Sequence, residues 1–148
     1  EYCLILLSSP IELAISNSCK MSKLIIGATK DKIFLMIISE NNIYNITHEN
    51  TKTNYEKIMI LINDFLDKKK YSLKNIQKIY VNRGPGSFAG IRNSLSTVKA
   101  LSLTNKIDYY GFSFEDFKDE INVKYENIPN LCNKFNIKKN LIKPIYMS

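Results

Sequence analysis

The chain has 148 residues, 45% of them apolar and 24% charged, which suits one globular domain that can bury a core without disulfides or metal and is too apolar to stay disordered. No apolar run is long enough to cross a bilayer as a helix. Its 21 basic residues against 14 acidic ones give a formal charge of +7, which favours polyanionic company such as RNA, yet all but Arg83 and Arg92 are lysines, scattered apart from small groups at Lys68-Lys69-Lys70 and Lys138-Lys139.

Cys3, Cys19 and Cys132 are odd in number and lack CxxC spacing, so they form neither a disulfide framework nor a zinc knuckle and suit a reducing, cytoplasmic setting. The one histidine, His48, excludes a His-pair metal site and reads as a partly exposed strand residue. In chain order, residues 1–20 stand apart: two short apolar stretches precede Met21-Ser22-Lys23, which reads as a natural start, so the segment is expected to be a non-core extension. Leu24 to Ile26 and Ile33 to Ile38 are apolar runs around a turn that includes Asp31, and Ile43-Tyr44-Asn45-Ile46 alternates as a half-covered strand does. Together they predict a three-stranded meander.

Thr53 or Asn54 can cap the next segment, where Tyr55, Ile58, Met59, Ile62, Phe65 and Leu66 recur at helical spacing over about four turns. Ile60 and Leu61 widen its apolar arc, so the helix either is buried on two sides within its own domain or keeps one face for a partner helix. Ile76 to Val81 is a fourth strand, parallel to a neighbour through a right-handed crossover. Next comes Gly84-Pro85-Gly86-Ser87-Phe88-Ala89-Gly90-Ile91-Arg92: glycines and proline force a sharp turn, and Ser87 is placed to cap a helix. By spacing alone the loop is either a tight structural turn or an anion cradle built from its amides, with Ser87 and Arg92 assisting. The helix that follows carries Phe88, Ile91, Leu95 and Val98 on one stripe beside the small residues Gly90, Ser94, Thr97 and Ala100. A fifth strand at Tyr109 to Phe112 and a short helix from Phe114 to Ile121 complete the order βββαβαβα, an α/β layer with a mixed sheet of about five strands. Beyond a boundary near Val123 the pattern weakens to a poorly covered tail, residues 123–148, with a short helix around Leu131 to Phe135.

The run from Asn82 to Arg92, with the small-residue helix reaching Lys99-Ala100-Leu101, closely resembles the GRGPGSFTGLRIG signature of the TsaB (YeaZ) family of glycoprotease-like (Gcp-like) proteins. The similarity in element order extends from Lys23 to about Phe117, includes Tyr110-Gly111-Phe112-Ser113, and touches Pro144-Ile145-Tyr146 near the end. The resemblance implies an actin-like ATPase (ASKHA, ribonuclease H-like) domain over residues 21–122, with residues 123–148 as the remnant of a second domain. It implies an accessory subunit, not the catalyst, in the making of N6-threonylcarbamoyladenosine in tRNA. The expected partners are a TsaD-type catalytic subunit, which holds the ATP and metal, and a TsaE-type ATPase, with weak or indirect tRNA contact, a homodimer when alone, and no membrane. A helix-bundle contact through residues 54–69 and 88–104 is implied, with Tyr55, Ile58, Met59, Ile62, Phe65, Leu95 and Val98 at the interface and Gly84, Pro85, Gly86, Ser87, Phe88, Gly90 and Arg92 as the motif loop. The chain departs from the pattern at Gly27-Ala28-Thr29, where the family usually carries Asp-Thr, so no catalytic or metal residue is assigned. Asp31, nearby but out of register, is read as a turn residue.

Overall fold

The computed structural model describes residues 21–30 and 32–146. The expectations for residues 1–20, for Asp31, for Cys3 and Cys19, and for Met147-Ser148 lie outside the described residues. Five strands form one sheet: β1 (Ser22–Gly27), β2 (Lys32–Ile38), β3 (Ile43–Glu49), β4 (Ile76–Asn82) and β5 (Asp108–Phe112), in the spatial order β3-β2-β1-β4-β5. The meander β1-β2-β3 is antiparallel, and β1, β4 and β5 are mutually parallel neighbours. Both parallel pairings place the strand ends of β1, β4 and β5 on one edge of the sheet, where the glycine motif leaves β4.

Successive side chains on a strand point to opposite faces, and the chain spends both. Leu24, Ile26, Ile33, Leu35, Ile37, Ile79 and Val81 face a core covered by α1 (Lys52–Glu56), α2 (Ile58–Lys68) and α3 (Phe88–Asn105). Ile25, Met36 and Tyr80 face a second core with Phe112, Phe117, Ile128, Leu131 and Cys132. That second cover comes from a 3-10 turn at Phe114–Phe117 and from α4 (Ile128–Lys134), so the part of the expected tail up to residue 135 packs on the sheet, while residues 136–146 stay mostly exposed. The reason is local: Ile128, Leu131 and Cys132 stand at helical spacing on a helix too short to show a long period.

Three elements differ in detail. The helix expected over residues 54–69 is two pieces, α1 and α2, because the Lys57 amide closes tightly back on Asn54 O at 3.1 Å and Lys57 leaves helical geometry. Its cap is Thr51, whose Oγ1 accepts from Asn54 N at 3.2 Å, not Thr53 or Asn54. Asn54 is instead held by its side chain, which donates to Glu49 O at 2.7 Å. Phe114 to Ile121 forms only the 3-10 turn, closed by Ser113 and Asp116 capping one another. Ser87 does cap α3, accepting from Gly90 N at 3.4 Å.

Candidate functional site at the carboxyl ends of the parallel strands

In open α/β sheets ligands gather outside the carboxyl ends of the strands, and here that edge holds Gly27 to Thr29, Asn82 to Gly90 and Ser113. Asn82, the last residue of β4 and 2% exposed, organises it. Its Oδ1 accepts from Gly84 N at 3.0 Å, its Nδ2 lies 3.5 Å from Thr29 Oγ1, and its side chain also hydrogen-bonds the Tyr125 hydroxyl. Gly84 adopts φ +119°, a region that costs glycine little, and a side chain there would overlap the Ile145 carbonyl.

Four of the loop's donors are spent inside the fold. Besides Gly84 N and Gly90 N, Ser87 N donates to Thr29 O at 3.1 Å and Ile91 N to Ser87 O at 3.0 Å. A Cβ at Gly86 would overlap Thr29 O, and one at Gly90 would overlap Ala28 O and crowd the Tyr55 ring. The glycines therefore bring the motif against the β1 end, which is the tight-turn reading. Pro85 and Ser87 are half-buried, and Phe88 stands outward with Tyr146 at 4.6 Å between ring centroids and the Arg92 guanidinium at 5.2 Å. Arg92 thus covers an aromatic face and does not close over the loop.

Tyr125 fills the space beside Gly27. Its hydroxyl occupies the position that a side chain at Gly27 would need, and its ring stacks on Phe34 at 4.3 Å with Phe112 and Phe114 edge-on. Burial pushes the Tyr125 phenol up from its ordinary value, opposed in part by the bond to Asn82. Burial likewise pushes the Cys132 thiol up to about 12, aided by the Asp116 carboxylate, and raises Tyr80 strongly. Such a thiol is protonated and unreactive at neutral pH. Among the described residues no group of three His, Cys, Asp or Glu is arranged to hold a metal.

Six of the seven residues expected at a partner interface lie in the chain's own core: Tyr55, Ile58, Ile62, Phe65, Leu95 and Val98 are each at most 8% exposed. The stripe that periodicity finds is the stripe the sheet buries, because the deepest apolar side chains of an amphipathic helix cover the nearest apolar surface. Tyr55 also donates to Ser87 Oγ at 3.0 Å, tying α1 to the motif. Of the small residues, Gly90 and Ser94 are buried within the chain and let α3 approach β1, Thr97 is half-buried, and Ala100 is exposed. Met59 is half-buried, whereas Ile60 at 53% on α2, and Phe88 at 54% and Leu103 at 79% on α3, are large apolar groups left outside. Asn82, Thr29 and Tyr125 were not singled out by sequence reasoning. Asn82 adjoins the motif and carried a signal, while Tyr125 reaches the site only through the chain's return.

Residues 42–113 match a family model described as TsaD: tRNA N6-adenosine threonylcarbamoyltransferase. A tRNA threonylcarbamoyladenosine biosynthesis protein TsaB from Buchnera aphidicola of Schizaphis graminum is 31% identical over 90 residues, covering 61% of this chain and 43% of that protein. The protein of the same description from Buchnera of Baizongia pistaciae is 32% identical over 69 residues, covering 47% of this chain and 31% of that one. The chain thus spans less than half the length of these curated relatives. Among solved structures, YeaZ from Pseudomonas aeruginosa superposes with a TM-score of 0.58 at 18% identity, over 63% of this chain and 44% of that chain. The sheet order and these likenesses give the actin-like, ribonuclease H-like fold.

Proposed function

We infer that the chain belongs to the TsaB (YeaZ) family and, on that premise, that it is a non-catalytic partner subunit in the making of N6-threonylcarbamoyladenosine in tRNA, docking on a TsaD-type catalytic subunit. The observation that carries the reading is the Asn82 to Arg92 motif, set between β4 and α3 and lying within residues 42–113, which match the family model. ATP and metal belong on the partner, a TsaE-type ATPase completes the set, and tRNA reaches this subunit only weakly. A cytoplasmic location follows from the tRNA substrate, and no helix of the described residues is long and apolar enough to cross a membrane.

Two features support the absence of chemistry in this subunit. Gly27-Ala28-Thr29 brings no carboxylate where the family usually carries Asp-Thr, and the Tyr125 hydroxyl takes up the space beside Gly27. The amides of Gly84, Ser87, Gly90 and Ile91 donate within the fold and are not offered to a phosphate. The docking residues are accordingly moved to the outer side of the same two helices: Met59 and Ile60 on α2, Ala100 and Leu103 on α3, with the inner stripe from Tyr55 to Val98 holding those helices in place. Replacing Ile60 and Leu103 together with aspartate is expected to abolish co-purification with the TsaD-type protein while leaving the circular dichroism spectrum unchanged. Retained binding would refute the docking surface. Calorimetric titration of the isolated chain with ATP and ADP is expected to show no saturable heat, and saturable binding would return the loop to the role of a nucleotide site.

A further inference from the structure

A cavity of about 200 Å³ lies beside the carboxyl ends of β4 and β5, with Arg83 its one residue from the motif, lined also by Gly111, Asp116, Asn136, Lys138 and Lys143 among others. Three cations face one carboxylate there. Arg83, only 19% exposed in its side chain, is fixed: Nη2 donates to Asp116 Oδ1 at 2.7 Å and Nη1 to Lys143 O at 2.9 Å. The other carboxylate oxygen, Asp116 Oδ2, accepts from Ser113 N at 2.9 Å, so Asp116 is occupied by the fold. Lys138 and Lys143 enter no ion pair among the described residues, whereas their neighbours Lys139 and Lys134 are matched to Asp108 and Glu120. The lining therefore carries two uncompensated positive charges. Gly111 lies against the returning chain, where an added Cβ would make only ordinary contacts, with Leu141 O at 3.4 Å and Ile142 Cγ1 at 3.5 Å.

We propose that this cavity binds a phosphate group, carried on an RNA backbone or free. An excess of two positive charges matches a phosphate better than a carboxylate, and a guanidinium held by two bonds with further N–H donors to give, beside two exposed ammonium groups, supplies donors to several oxygens at once. The chain's return over the strand ends builds the site: Asn140 N donates to Tyr109 O at 2.7 Å and Ile145 N to Arg83 O at 2.8 Å, which hold the 138–143 stretch against β5 and Arg83. The site is read on the isolated chain, so its failure leaves the docking proposal standing.

The test is a two-dimensional NMR titration of the full chain with inorganic phosphate and pyrophosphate at fixed ionic strength. Saturable shifts are expected at the Gly111, Asn136 and Leu141 amides. Lys138→Gln with Lys143→Gln should weaken binding by about tenfold or more, the scale of one charge-assisted hydrogen bond. The control pair Lys68→Gln with Lys70→Gln, at the opposite end of β4, removes the same charge and should change binding by less than about twofold. No saturable shifts, or equal weakening in both pairs, would overturn the site. An RNA hairpin that displaces bound pyrophosphate identifies the backbone as the source, and pyrophosphate binding that RNA leaves untouched identifies the free anion.

Discussion

Asn82, Gly90 and Tyr125 show how single residues set the strand-end geometry. Gly90 sits in the first turn of α3, where alanine would ordinarily gain up to about 1 kcal/mol of helix propensity. Here the added methyl would overlap Ala28 O and press on the Tyr55 ring, and overpacking against backbone costs about 1–3 kcal/mol. Gly90→Ala is therefore expected to destabilise the protein by roughly 1–2 kcal/mol in urea unfolding. Gly111→Ala, with only ordinary contacts, should stay within about 0.5 kcal/mol. A stabilising Gly90→Ala would mean that α3 does not approach β1 as closely as the structure has it. Gly90 was visible in the motif, but its neighbour across the gap, a β1-end carbonyl more than sixty residues earlier, was not.

At the scale of elements, periodicity located α2 and α3 and gave their apolar stripes, yet could not say what covers those stripes. An amphipathic face looks the same in sequence whether it meets its own sheet or another protein. Ile58, Ile62, Leu95 and Val98 went to the sheet, so the docking surface we propose is the outer one at Ile60 and Leu103. The short α4 is the opposite case, a weak pattern with a large structural share. Ile128 at 0% and Leu131 at 9% exposure close the second face over Ile25, Met36 and Tyr80. Ile128→Asp should thus cost at least about 3 kcal/mol, the price of an unpaired charge in a packed core. Loss of soluble expression or a collapsed melting transition would meet this expectation, and wild-type stability would show that the second core is dispensable.

For the molecule as a whole, the buried tyrosines and thiol tie stability to alkaline pH. Tyr80, Tyr125 and Cys132 are all held protonated above their ordinary values of 10.0, 10.0 and 9.0, Cys132 up to about 12. In the unfolded chain these groups lose their protons at the ordinary values, whereas the folded chain keeps them, so the unfolded state binds fewer protons there and stability falls as pH rises. Their contribution is complete below about pH 9 and is lost progressively above it. The urea midpoint should be level between about pH 7 and 8.5 and drop by about pH 10.5, with Cys132→Ala softening the earliest part of the decline. A level profile through that range would show that these groups reach solvent without unfolding.

The amino-acid sequence by itself determined the order of the five strands, the helical segments that join β3 to β4 and β4 to β5, the glycine turn with Ser87 as cap, and the family likeness. Each of these is written in neighbouring residues, through period, turn chemistry and a contiguous motif. Only the tertiary structure decided which helix faces the sheet buries, that Tyr125 stands beside Gly27, and that Arg83, Lys138 and Lys143 surround one cavity. Those facts depend on segments distant along the chain meeting in space, and a local pattern carries no record of its distant neighbour.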